Sequence, residues 1–142
     1  MPNNPWLILA GLLSAAACVV HLAIIIGGGP WYRFFGAGER MARLAEAGSP
    51  RPAVITLGIA AVLAIWAAYG FAGAGLIPPL PLMRPALVAI SAVYLARGLT
   101  PVPVFLVTQG RVSPFWVWSS LIVLVYGIAY AIGTWSAWAT IG

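Results

Sequence analysis

Apolar positions in this 142-residue chain run in long, nearly unbroken stretches. They show neither the strict alternation of a half-buried strand nor the one-sided stripe of a soluble helix. Four stretches stand out, at residues 5–27, 52–77, 82–107 and 114–138. At about 1.5 Å of rise per residue, each is long enough to cross a hydrocarbon core about 30 Å thick. In lipid the backbone finds partners only within a helix or a closed barrel, and runs without alternation exclude the barrel. The pattern therefore predicts one domain, an all-α integral membrane four-helix bundle.

Breakers frame these runs. Asn3 and Asn4 precede Pro5 as candidate caps, and Gly27, Gly28 and Gly29 close the first run. Ser49-Pro50 opens the second and Pro78-Pro79 ends it, while Ser113-Pro114 opens the fourth. The only sizeable segment outside the spans is GGGPWYRFFGAGERMARLAEAGSPR. Between Gly38 and Gly48 it predicts a short interfacial amphipathic helix, with Glu39 and Arg43 four apart and Arg43 and Glu46 three apart. Met41, Leu44 and Ala45 share its other face. Trp31, Tyr32, Phe34 and Phe35 are expected at headgroup level, as are the pairs Trp116, Trp118 and Trp135, Trp138.

Composition strengthens the membrane reading, with 63% hydrophobic and 6% charged residues. The net charge of +5 comes from seven arginines and two glutamates, too sparse and unclustered for a nucleic-acid surface. Four spans put both termini on one side together with Arg84. Arg33, Arg40, Arg43, Arg51 and Arg111 fall on the other. That asymmetry predicts a bacterial inner-membrane protein whose first and third loops are cytoplasmic and whose termini are extracytoplasmic. The first segment has no basic residue ahead of its apolar run, so a retained helix is expected rather than a cleaved signal.

Cys18 is the single cysteine, which excludes an internal disulfide. GAGERMARL lacks the strand, lysine and hydroxyl of a phosphate loop, and no HExxH or metal-ligand spacing occurs. No metal or cofactor is expected.

The polar residues at membrane depth are more informative. Arg97 lies about 22 Å from the start of the third span, and His21 about 24 Å from the start of the first. Ser119 and Ser120 lie about 8 to 9 Å into the fourth from its other end. The estimates bring all four to one layer. An arginine there costs about 2.5 kcal/mol or more, so it must snorkel, pair with Glu39 or Glu46, or hold an anionic ligand. Gly98, Pro101 and Pro103 then either end the span near Thr100 or leave carbonyls open at depth. His21 continues a face of Ala10, Ser14 and Ala17, read as a packing seam or a proton relay. On the second span Thr56, Ala60, Ala64, Ala68 and Ala72 form a ridge of small residues repeating every four.

GGPWYRFFGAGERMA, YLARGL and WSSLIVLVYGIAYAIGT together resemble an uncharacterised family of small four-helix bacterial inner-membrane proteins. That resemblance implies the four-span architecture and attaches no activity to it.

The functional expectation is a non-enzymatic protein that binds or passes a small anionic or amphipathic ligand near the cytoplasmic leaflet. Arg97 would contact the anion, and His21 with Ser119 or Ser120 would supply hydrogen bonds. Glu39 would pair with Arg97 in the empty state, and Tyr94, Tyr126 and Tyr130 would line the wall. A single four-helix unit is small for a pore, which points to homo-oligomerisation. The alternatives are an accessory subunit of a larger membrane complex docked through 56–72, and a lipid- or quinone-modifying enzyme using His21 and Glu39.

Overall fold

The computed structural model describes residues 3–110 and 112–142, and among these it contains only helices, turns and loops. The helices are α1 (Pro5–Gly27), α2 (Gly29–Phe34), α3 (Glu39–Glu46), α4 (Arg51–Gly73), α5 (Met83–Leu99), α6 (Pro101–Thr108) and α7 (Pro114–Ala137). Four segments are long and apolar enough to cross a membrane: Pro5–Gly27, Arg51–Gly73, Met83–Thr108 and Pro114–Ala137. The fold is thus the expected all-helical, four-span type.

Two boundaries differ from the hydropathy pattern, each for a local reason. The second span ends at Gly73, although the apolar run continues to Ile77. Gly75 adopts φ +80°, its N–H meets the Ala72 carbonyl at 3.0 Å, and the Leu76 N–H meets the Phe71 carbonyl at 3.0 Å. Those paired bonds close the helix end around a left-handed residue, a geometry hydropathy does not register. The third span runs on through Thr100, which keeps helical angles of φ −57° and ψ −31°. Pro101 has no N–H to give the Arg97 carbonyl, and the Thr100 hydroxyl supplies the missing donor at 2.7 Å. The span neither stops at Thr100 nor leaves that carbonyl open.

The first loop holds two helices instead of one, and the Gly27-Gly28-Gly29 run explains why. A Cβ at Gly27 would stand 2.1 Å from the Trp31 ring, and one at Gly29 would stand 2.5 Å from Glu46 Oε1. Gly28 between them takes φ +71° as the N-cap of α2. Only glycine satisfies all three positions.

The chain forms two compact units, one of residues up to Leu13 with Trp66–Gly142, the other Ser14–Ile65. In the first, α5 and α7 run antiparallel. Arg84 lies against Trp138, Leu95 fits the notch at Gly127, and Leu124 fits the notch at Gly98. A Cβ at Gly98 would lie 2.8 Å from the Leu124 Cα, and one at Gly127 would lie 2.8 Å from the Leu95 N. Asn4 joins the start of α1 to the end of α7. Its Oδ1 accepts the N–H groups of Trp6 and Leu7 at 3.1 and 3.2 Å, while Nδ2 donates to Ser136 Oγ at 2.8 Å and the Gly133 carbonyl at 3.3 Å. Leu7, fully buried, fills the space over Gly133 and Gly73.

In the second unit Ile24, Tyr32 and Ala42 form a core, with Phe35, Met41 and Ala45 packed on it. Tyr32 is buried and its hydroxyl lies 3.1 Å from Thr56 Oγ1, so it serves packing and not the headgroup anchoring expected of it. Trp31 and Phe34 on either side of it are exposed, as that expectation required. The small-residue ridge is also revised. Of the ridge positions on α4, Thr56, Ala60 and Ala72 are buried, Ala68 is half-buried and Ala64 is exposed, and the other buried positions are Pro52, Leu63, Ala67, Gly70 and Gly73. Steps of four advance about 400°, so a strict four-residue repeat drifts about 40° per step off any one face. Alternating steps of four and three keep to it.

Substituting Gly98→Ala forces a methyl against helix backbone and is expected to cost about 1–3 kcal/mol. Gly58 has open space around its Cα, so Gly58→Ala is expected to be neutral or stabilising by up to about 1 kcal/mol. Thermal unfolding of both variants in one detergent checks the contrast.

Candidate functional site

Arg97 sits in the last turn of α5 and reaches across to α7. Its Nη1 donates to Ser120 Oγ at 2.6 Å and its Nη2 to Ser119 Oγ at 3.4 Å. The antiparallel pairing of α5 and α7 makes this meeting possible, because Gly98 lets the helices approach closely one residue beyond the arginine. Ser120 is buried, and the Ser119 hydroxyl donates a hydrogen bond to the Trp116 carbonyl at 3.1 Å. Arg97 itself is exposed. The expected meeting of Arg97 with Ser119 and Ser120 is therefore present. Both partners are neutral, so they satisfy donors without compensating the charge.

The three tyrosines also come together, as a packed aromatic core. Tyr94 is its centre, with ring centroids 5.4 Å from Tyr126, 5.5 Å from Tyr130 and 5.0 Å from Trp66. The Tyr130 hydroxyl, on the largest fully buried side chain, donates to the Trp66 carbonyl at 2.8 Å. Tyr94, one helical turn before Arg97, ties these rings into the packing between α5 and α7.

His21 lies in the second unit, half-buried, with Nδ1 2.7 Å from the Ala17 carbonyl one turn back. A carbonyl only accepts, so Nδ1 carries the proton of this bond. Cys18 is half-buried nearby in sequence. Among the described residues no three of His, Cys, Asp and Glu gather as a metal site.

Glu39 is engaged within its own loop. Arg33 grips it with two parallel bonds, Nε to Oε2 at 2.9 Å and Nη2 to Oε1 at 2.9 Å, while Arg43 Nε adds a third at 3.2 Å. Arg33 also holds Glu46 through Nη1 to Oε1 and Nη2 to Oε2 at 3.1 Å. The expected Glu39–Arg43 pair is present, but Glu46 turns to Arg33 instead of Arg43. Both Glu39 oxygens accept from arginines of its own loop, and the partners of Arg97 on α7 are serine hydroxyls. Arg33 is the residue that the sequence pattern passed over. It stands 6 and 13 positions from its partners, outside any helical spacing, and meets them only because α2 and α3 pack together.

Hydrogen bonding to Arg33 holds Glu39 down from 4.5 to about 2, and lowers Glu46 for the same reason. The same contacts push Arg33 above its ordinary range. A lowered carboxylate pKa stabilises the folded loop above the ordinary value of 4.5, and the contribution is lost as pH falls from 4.5 through about 2. Carbon-detected titration of the Glu39 carboxyl is expected to show a midpoint near 2 in the native protein, moving toward 4.5 in Arg33→Gln.

No protein-family model, curated protein or solved structure matches this chain, so it is the four apolar helices that mark it as a small membrane protein.

Proposed function

We propose that this chain is a non-catalytic membrane protein that binds a small anionic or amphipathic ligand at the Arg97, Ser119, Ser120 cluster. The observation that carries the reading is a charge count. The sequence contains two carboxylate side chains, Glu39 and Glu46, and both are engaged by Arg33 and Arg43. Arg97 is left with hydroxyl partners in the last turn of α5. A guanidinium in such surroundings requires a counter-anion, and its planar fork suits a carboxylate or phosphate with two parallel bonds. Ser119 and Ser120 preset the guanidinium plane against α7.

The arginine distribution supports the finer placement, a bacterial inner membrane with both termini extracytoplasmic. Arg33, Arg40 and Arg43 lie between α1 and α4, Arg51 opens α4, and Arg84 stands at the start of α5, with Arg111 outside the described residues. A second reading has a specific observation behind it: the Arg97–Ser120 bond joins α5 to α7 and stabilises the bundle by itself.

Thermal shift with dodecyl phosphate as the probe separates the two. Ligand present at about 100 times its Kd stabilises the native protein by about 2.7 kcal/mol, and Arg97→Ala is expected to abolish that increment. Arg97→Lys keeps the charge but loses the fork, and should retain only part of it. An increment unchanged in Arg97→Ala would leave the structural clasp as the role of Arg97. Orientation is checked by single cysteines at the exposed positions Ala37 and Pro79 in a Cys18→Ser background. An impermeant maleimide added to intact cells is expected to label Pro79→Cys and spare Ala37→Cys.

A further inference from the structure

An apolar groove of about 520 Å³ runs between α5 and α7, bordered by Ala92 and Leu95 on one helix and Trp135 and Trp138 on the other. Two hydroxyl side chains, Ser91 and Thr134, line it. Ser91 donates to the Leu87 carbonyl at 2.7 Å, the usual way for a helical hydroxyl to satisfy itself. Thr134 does not. It is 5% exposed, and its Oγ1 is buried without a hydrogen-bond partner, although the groove offers room beside it. A native protein seldom leaves such a group unpaired, and an acceptor from outside the chain accounts for it.

The Trp138 end is the mouth of the groove, and a cation stands beside it on that ring. The half-buried Arg84 places its guanidinium 4.9 Å from the Trp138 ring, with Nε and Nη2 donating to the Trp138 carbonyl at 3.1 and 2.8 Å. A guanidinium carries five N–H donors, so capacity for an anion remains. Trp138 and Thr134 are one helical turn apart, about 6 Å along α7. From the mouth inward the order is cation, unpaired hydroxyl, apolar walls.

We infer that this groove is a phospholipid site, with the headgroup phosphate at Arg84, an ester carbonyl accepting from Thr134 and an acyl chain along Ala92, Leu95 and Trp135. One phospholipid presents anion, acceptor and apolar chain in that same order. Helical threonine has two accessible χ1 wells, so its hydroxyl meets a carbonyl on the groove floor without backbone movement. The site is separate from Arg97 and does not depend on the reading given to that residue.

The test is native mass spectrometry of the full chain in detergent, titrated with phosphatidylglycerol. One lipid per chain is expected to be retained, about fivefold more weakly by Thr134→Val, the effect of one lost hydrogen bond. Ala92→Phe, which fills the groove, should abolish retention, and Gly58→Ala, which adds a methyl into open space, should leave it unchanged. Thr134→Val in lipid-free detergent should melt no lower than the native protein, because the removed hydroxyl makes no bond in the chain. Native-like retention in Thr134→Val or in Ala92→Phe would overturn the inference. So would loss of retention in Gly58→Ala, or a dimer that Ala92→Phe dissociates.

Discussion

Charge in an apolar chain must be answered locally, and this molecule has seven guanidiniums and two carboxylates with which to do it. Arg33 takes both carboxylates at once and, with Arg43, forms a compact ionic knot that holds α2 to α3. Arg84 is met by the exposed end of α7, where the Trp138 carbonyl and ring accept it at the negative pole of the helix. Arg97 is met by two hydroxyls. Arg33, Arg43, Arg84 and Arg97 are thus each met by what their neighbourhood supplies, carboxylates in the first loop and a carbonyl, a ring or hydroxyls along α5 and α7.

Lipid offers helices no hydrophobic reason to associate, because its tails are as apolar as leucine. Close contact between backbones has to replace that driving force. Gly98 and Gly127 let α5 and α7 exchange leucines across their interface, and Gly133 and Gly73 make room for Leu7. The same closeness positions the polar groups. Arg97 reaches Ser120 one residue from the Gly98 notch, and Asn4 bonds the Gly133 carbonyl because no side chain stands between them. Packing and polar satisfaction in this protein are one arrangement.

Much of that arrangement could be read from residue order. The four spans, the amphipathic segment with its Glu39–Arg43 pair, and the shared level of Arg97, Ser119 and Ser120 all follow from helical rise and periodicity. The misreadings have a common origin. Thr100 repairs the carbonyl that Pro101 frees, Gly75 ends α4 inside an apolar run, and Ala64 drifts off a face that Ala60 shares. In each, a single side chain or dihedral decides what average hydropathy leaves open.

The sequence alone determined which segments are helical and apolar enough to span, because apolar length and breaker residues act through local rise and backbone freedom. Only the tertiary structure decided which cation keeps which partner. Arg33 finds Glu39 and Glu46 by the folding of α2 onto α3, and Arg97 finds Ser120 by the antiparallel register of α5 and α7. Electrostatic and hydrogen-bond partners are chosen by distances of a few ångströms between chain segments far apart in order, and no local pattern carries that distance.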